Sequence, residues 1–259
     1  MSLSEKRLFL LDMDGTFYLG DRIIEGSMEF LQKVEQTGLS YLFLTNNSSR
    51  SVQHYVEKLG RLGLHVGEDK ILTSGQAAAQ YLKREYPGKR VFLLGNPSLR
   101  EEMEKHGIAL EDEHPDLVLV GFDTTLDYAK MTRVCDLVRE GLPYIATHPD
   151  FNCPTESGFI PDIGAIMAFI EASTGRKADV IIGKPCGEIV RAAQERTGLA
   201  PGEMAMVGDR LYTDVRTGVD HGLCSILMLS GEGTVEDIEK YGVEPDLIFG
   251  KLGDMNPYL

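Results

Sequence analysis

Short, unbroken apolar runs alternate with segments of helical periodicity along this chain, and that alternation restricts its fold more than any other feature. The runs at 8–11, 41–44, 91–94, 117–120, 144–146, 180–182, 204–207 and 225–229 are too short for helices. They read as strands buried on both faces, where no polar side alternates with the apolar one. Between them lie helical segments at 27–36, 51–62, 74–86, 128–140, 165–173, 187–197 and around 213–219. In the first of these Phe30, Leu31 and Val34 recur at helical spacing, and Gly38 supplies the stop. Ser98 and Glu101 form an S-x-x-E capping box for a further helix ending near Gly107. A last run at 246–249 suits an edge strand. Strand–helix alternation of this kind implies parallel sheets with crossover helices, an α/β fold. The stretch 148–164, rich in Pro, Asp, Asn and Gly, is predicted to be a long loop, and loops of that length are usually functional or disordered.

At 259 residues the chain has the length at which a single core divides into two domains. Its 26 Lys and Arg stand against 40 Asp and Glu, a formal net charge of −14. Such a surface repels nucleic acid and anionic membranes, which are bound through clustered cations, so neither is an expected partner. A small phosphorylated metabolite stays open, because one metal ion and one lysine reverse the field locally. No stretch approaches the roughly 20 apolar residues of a membrane-spanning helix, and no signal peptide is recognisable at the N-terminus. Cys135, Cys153, Cys186 and Cys224 lack any C-x-x-C or Cys–His metal spacing. They read as reduced thiols of a cytoplasmic protein. The oligomeric state is not legible, and a homo-oligomer stays open.

The informative residues follow the apolar runs. Asp12 and Asp14 end the first one, directly before Gly15. They sit at the carboxyl end of a strand, where open α/β sheets place their ligands, and project to the same side. Two such carboxylates are costly without a cation, and their oxygen ligands suit Mg²⁺. Thr45-Asn46-Asn47 ends the second run and offers uncharged donors for phosphoryl oxygens. Lys184, between Gly183 and Pro185, can neutralise a phosphoryl group as a point charge. Asp209 can complete the metal site, and Asp214 can orient Asp209 or a metal-bound water. Each motif alone has a bland reading as turn, cap or surface charge. Their joint occurrence at strand ends, in the order D-x-D-G, T-N, K-P, G-D-x-x-x-x-D, forms a specific signature.

With Asp12-Met13-Asp14-Gly15-Thr16, Thr45-Asn46-Asn47, Gly183-Lys184-Pro185 and Gly208-Asp209-Arg210-Leu211-Tyr212-Thr213-Asp214, the chain resembles the haloacid dehalogenase superfamily. It is most similar to the branch of 4-nitrophenylphosphatase-like and NagD-like enzymes. That likeness extends to Ile24-Glu25-Gly26 and Cys153-Pro154-Thr155-Glu156. The resemblance implies a Rossmann-like parallel-sheet core with an inserted α/β cap domain, the core at 1–80 and 179–259 and the cap at 81–178. It implies a phosphatase in which Asp12 is nucleophile and metal ligand and Asp14 is general acid and base, its carbonyl facing Mg²⁺. Thr45 and Asn46 would bind the phosphoryl group, Lys184 would stabilise its charge, and Asp209 would be the third protein contact to the metal. Within 148–164, Asp150, Asn152 and Glu156 are candidate substrate contacts. Three rivals compete with this reading. A response-regulator receiver would be near half this length and lack the insertion. A phosphate-binding regulatory protein would have lost the site. A phosphomutase would release no free phosphate.

Overall fold

The structure is a computed structural model that describes residues 3–155 and 158–259. The chain divides into two compact units. The first comprises the chain up to Thr45 together with Val52–Leu72 and Val190–Leu259. The second comprises Asn46–Ser51 and Thr73–Ile189. The expected partition at 80/81 and 178/179 is thus shifted outwards in these units, and the short loop 46–51 groups with the second.

In the first unit the strand Leu8–Leu11 lies between Ser40–Thr45 and Met204–Gly208, and pairs parallel with both. Ile71–Thr73 forms one edge of this sheet; Cys224–Met228 and then Leu247–Phe249 complete the other side. All four residues of the central strand are buried, as an unbroken apolar run requires. The helix Ser27–Gln36 has the predicted bounds and turns Phe30, Leu31 and Val34 inward. Phe9 meets Phe30 edge to face at 5.5 Å, and Phe17 meets Phe43 at 5.0 Å. Such pairs add to the burial of the rings. The helix expected around 213–219 begins instead as a π-helical turn, Leu211–Val215, followed by Arg216–His221. The Asp214 carboxylate accepts the Arg210 N–H at 3.1 Å and closes that turn.

The second unit holds a five-stranded sheet in the order Val180–Ile181, Tyr144–Ala146, Leu117–Val120, Arg90–Leu94, Ala109–Leu110, with parallel pairing throughout. Its core gathers Phe92, Val118, Val134, Tyr144, Ile163 and Ile170, among others. Two expectations are corrected here. The helix Pro97–Lys105 is capped by Asn96, whose side chain accepts the Leu99 N–H at 3.0 Å, and not by a Ser98–Glu101 box. Asn at the cap with Pro in the first helical position outcompetes a serine already inside the helix. The predicted loop 148–164 contains an antiparallel hairpin, Asn152–Thr155 with Gly158–Pro161. Its residues are mostly exposed, so no apolar alternation marked it in the sequence. Among the described residues no helix is long and apolar enough to cross a membrane.

Candidate active site

In the first unit, register brings the acids together. Leu11 pairs with Val207, and the Asp12 N–H donates to the Val207 carbonyl at 2.9 Å. Asp12 therefore lies level with Gly208, one residue before Asp209. Carboxylate oxygens of Asp12, Asp209 and Asp214 all lie within 4.8 Å of one another. Backbone packs against them where side chains would not fit. A Cβ on Gly208 would meet the Asp214 carboxyl carbon at 2.3 Å, and one on Gly231 would meet Asp209 Oδ2 at 2.1 Å. Gly15, at φ +88°, combines a left-handed turn with an approach that would leave a Cβ 2.4 Å from the same oxygen.

Asp209 is 2% exposed. Its Oδ2 accepts the Glu232 N–H at 2.7 Å, whereas its buried Oδ1 has no hydrogen-bond partner among the described residues. Burial, reinforced by Asp214, pushes its pKa up to about 6 against the lowering effect of the Glu232 N–H. A buried carboxylate oxygen without a donor, beside two further acids, fits a hard divalent cation. Asp12, Asp209 and Asp214 are the residues that could hold one.

Asp14 is exposed and stands outside this trio. The turn that carries it is closed by the Gly15 N–H donating to the Tyr18 carbonyl at 2.8 Å. Burial first, then Tyr55, Asp14 and Asp12, raise the Tyr18 pKa, so its phenol keeps its proton. Lys58 sits over that ring, 3.9 Å from the centroid. Thr45 ends its strand in a buried position.

Two neighbours of the acids were not recognised from sequence. Burial works against the charge of Arg210, but Asp12, followed by Tyr212, Asp209 and Asp214, more than reverses this and raises its pKa. Its Nε lies 3.0 Å from Glu232. The segment Ser230-Gly231-Glu232 supplies the donor to Asp209, and the Ser230 hydroxyl donates to the Gly15 carbonyl at 2.8 Å. Glycines after the apolar strand Cys224–Met228 were the available signal for that segment.

The second unit gathers another set at the carboxyl ends of its own strands. Asn46 Oδ1 accepts the Lys184 N–H at 2.7 Å, while its Nδ2 donates to the Lys184 carbonyl at 2.9 Å and to Asp150 Oδ2 at 3.1 Å. Ser48 bonds Thr147 and the Phe122 N–H, each at 3.0 Å, and Asn96 donates to the Ser49 carbonyl at 2.8 Å. The loop 46–51 is thereby fastened across the strand ends. His148, fully buried, places Nδ1 against Thr147 and Nε2 against Asp162, at 3.0 and 3.1 Å. His148, Asp150 and Asp162 are also close enough to form a metal-type cluster. Both His148 ring nitrogens, Asp150 Oδ2 and Asp162 Oδ1 are already engaged within the protein, the last also capping the Ile163 N–H at 2.6 Å. The structure thus joins Asp12 with Asp209 and Asp214, and Asn46 with Lys184 and Asp150. Asn152 is exposed on the hairpin, and Glu156 lies outside the described residues.

Family models for haloacid dehalogenase-like hydrolases match residues 9–109, and for HAD-hydrolase-like proteins residues 181–255. An acid sugar phosphatase of Staphylococcus aureus is 34% identical to the chain over 97% of both proteins. Among solved structures, a 4-nitrophenylphosphatase from Thermotoga maritima superimposes with a TM-score of 0.95 at 47% identity, covering 98% of each chain. NagD from E. coli gives a TM-score of 0.89 at 32% identity, covering 96% of this chain and 98% of its own. The parallel sheets, the strand-end acids and these likenesses agree. The chain belongs to the haloacid dehalogenase-like hydrolases, in their 4-nitrophenylphosphatase and NagD-like branch, and is an enzyme of the phosphoric monoester hydrolase type.

Proposed function

We propose that the chain hydrolyses small phosphate monoesters, such as sugar phosphates or nucleoside monophosphates, with Mg²⁺ and through an aspartyl-phosphate on Asp12. One observation carries this reading: ligand oxygens of Asp12, Asp209 and Asp214 lie within 4.8 Å of one another, and a buried Asp209 oxygen has no hydrogen-bond partner among the described residues. Asp12 and Asp209 would hold Mg²⁺, with the Asp14 carbonyl as a further contact and Asp214 orienting Asp209. Bound there, the ion offsets the negative charge of the phosphoryl oxygens.

The residues then divide the work. A carboxylate attacking a phosphate dianion meets like charge, so positioning and neutralisation dominate catalysis. The Thr45 hydroxyl and the Asn46 main-chain N–H bind the phosphoryl group, since the Asn46 carboxamide is committed to Lys184 and Asp150, and the Lys184 ammonium balances its charge. Asp12 attacks phosphorus as the bond to the leaving oxygen breaks, and protonated Asp14 gives its proton to that oxygen. Ionised Asp14 next takes a proton from the water that attacks the aspartyl-phosphate. Inorganic phosphate leaves and Asp12 is restored. In this reading residues 81–178 act as the cap that selects the substrate, with Asn152 and Glu156 as polar contacts. Four free thiols support a cytoplasmic setting.

Asp12→Asn is expected to abolish Mg²⁺-dependent phosphate release from 4-nitrophenyl phosphate and from a panel of metabolites, with the circular dichroism spectrum unchanged. Full activity in that variant would end the mechanism. Asp14→Asn should slow turnover most for esters with poor leaving groups, and equal loss across leaving groups would remove its assigned role. A product phosphate that stays on the substrate skeleton would instead identify a mutase.

A further inference from the structure

We propose that Asp150 is a positioning residue for Lys184, acting through Asn46, and not a contact to the substrate. This rests on the reading above, in which Lys184 balances the charge of the phosphoryl group.

The Asn46 carboxamide has one acceptor and two N–H donors to place. Its oxygen takes the N–H of Lys184 and one N–H goes to the carbonyl of the same residue, at 2.7 and 2.9 Å. One planar side chain therefore grips both polar groups of the Lys184 backbone. The remaining N–H points at Asp150 Oδ2, 3.1 Å away. Rotating the carboxamide by half a turn would set its NH₂ against the Lys184 N–H. The same rotation would set its oxygen against a carbonyl and a carboxylate. The Asp150 oxygen, as the acceptor of that N–H, thus supports the orientation of Asn46 that holds Lys184.

The surroundings leave this grip no alternative. Asn46 and Lys184 are both buried. A Cβ on Gly183 would lie 2.5 Å from Asn46 Oδ1, 2.7 Å from the His148 Cβ and 2.8 Å from the Thr147 carbonyl, so the Lys184 backbone cannot retreat. Asp150 is itself anchored, its carbonyl accepting the Gly164 N–H at 2.7 Å. Gly164 allows that approach because a Cβ there would meet the Pro149 carbonyl at 2.6 Å. Asp150 also shares a neighbourhood with the buried His148 and Asp162, whose bonds to Thr147 and to each other hold the start of the segment.

The test is a cycle in the full chain, read as kcat/KM for 4-nitrophenyl phosphate and for several sugar and nucleoside monophosphates. Asp150→Ala is expected to lower kcat/KM about tenfold, by the same factor for every substrate, because a misplaced neutralising charge affects them all. Asp150→Asn, which keeps an acceptor for the Asn46 N–H, is expected to stay within about threefold of the parent. In a Lys184→Ala background, followed with excess enzyme, Asp150→Ala should add less than a twofold loss, whereas general structural damage would lower that residual rate further. Should Asp150→Ala not fold, Asp150→Ser carries the same comparison. A loss confined to one substrate class, full additivity with Lys184→Ala, or no loss at all would overturn the proposal. Unimpaired turnover by Lys184→Ala alone would instead refute the role given to the lysine, a separate result.

Discussion

The two parallel sheets end in polar clusters built on opposite principles. In the first unit, Asp12, Asp209 and Asp214 crowd like charges together, and one buried oxygen of Asp209 has no donor among the described residues. In the second, a continuous chain of bonds runs from the Phe122 N–H through Ser48, Thr147 and His148 to Asp162. With the ring proton on Nε2, every hydroxyl in that chain donates once in the same direction, and none of its buried side-chain atoms stands unpartnered among the described residues. Low dielectric amplifies both arrangements: a satisfied network rigidifies its surroundings, and an unsatisfied carboxylate group costs stability until a cation arrives. The difference separates a cluster whose charges suit a cation from a cluster whose bonds are satisfied within the protein.

The largest expected effect breaks or confirms the first half of that contrast. Asp209→Asn should lower phosphatase activity on the order of 10³-fold. In EDTA at pH 8 the same variant should nevertheless melt higher than the parent, by about 1–3 kcal/mol in stability. Its NH₂ would replace the donorless oxygen and face two acids, while its remaining oxygen keeps the Glu232 N–H. The sign follows from the raised pKa. Ionising Asp209 costs the folded chain stability from its ordinary 3.8 up to about 6 and fully above that, so the gain should vanish near pH 4. A lower metal-free melting temperature at pH 8 would show that the acid trio is already satisfied without an ion.

How much of this was legible in the sequence depended on how local its causes are. The central strand and the helix Ser27–Gln36 were readable to the residue, because burial on both faces and a single apolar stripe each leave a local pattern. Asp12 and Asp209 were legible because each stands just after an apolar run, and parallel register brings those strand ends level; Asp214 was expected only to orient Asp209, and its place beside them depends on the π-helical turn Leu211–Val215. The hairpin within 148–164 was not, since its strands pair only with each other and carry Pro154 and Pro161, residues that lack a donor. Nor was the attachment of the loop 46–51, whose partners Asn96, Phe122, Thr147 and Lys184 lie 47 to 138 residues away. The function of Gly231 and Arg210 likewise depends on what packs against them. A glycine or an arginine alone in a sequence does not announce that it borders a carboxylate.

A smaller effect probes the second cluster for slack. Gly183→Ala would drive a methyl group into Asn46, His148 and the Thr147 carbonyl, all closer than 3.0 Å. Overpacking at such a site should cost about 1–3 kcal/mol. It should also reduce activity through Lys184, and thermal melting alongside kcat/KM measures both. If the variant melts with the parent, the strand ends of the second unit can yield, and their bonds do not define a single geometry.

The smallest expected effect isolates the hydrogen-bond chain itself. Thr147→Val keeps the branched shape and removes the hydroxyl, leaving Ser48 and the His148 Nδ1 without their shared partner in a fully buried place. That should cost about 1–3 kcal/mol. Thr147→Ser keeps the hydroxyl and loses only a methyl group, for about 1 kcal/mol. The order of these two variants separates bonding from packing, because packing alone predicts that serine is the worse replacement. Measured with Mg²⁺ and with EDTA, the deficit of each should be the same, since no charge in this network waits for an ion. A Thr147→Val deficit that disappears when Mg²⁺ is added would tie the neutral network to the cation and dissolve the distinction between the two clusters.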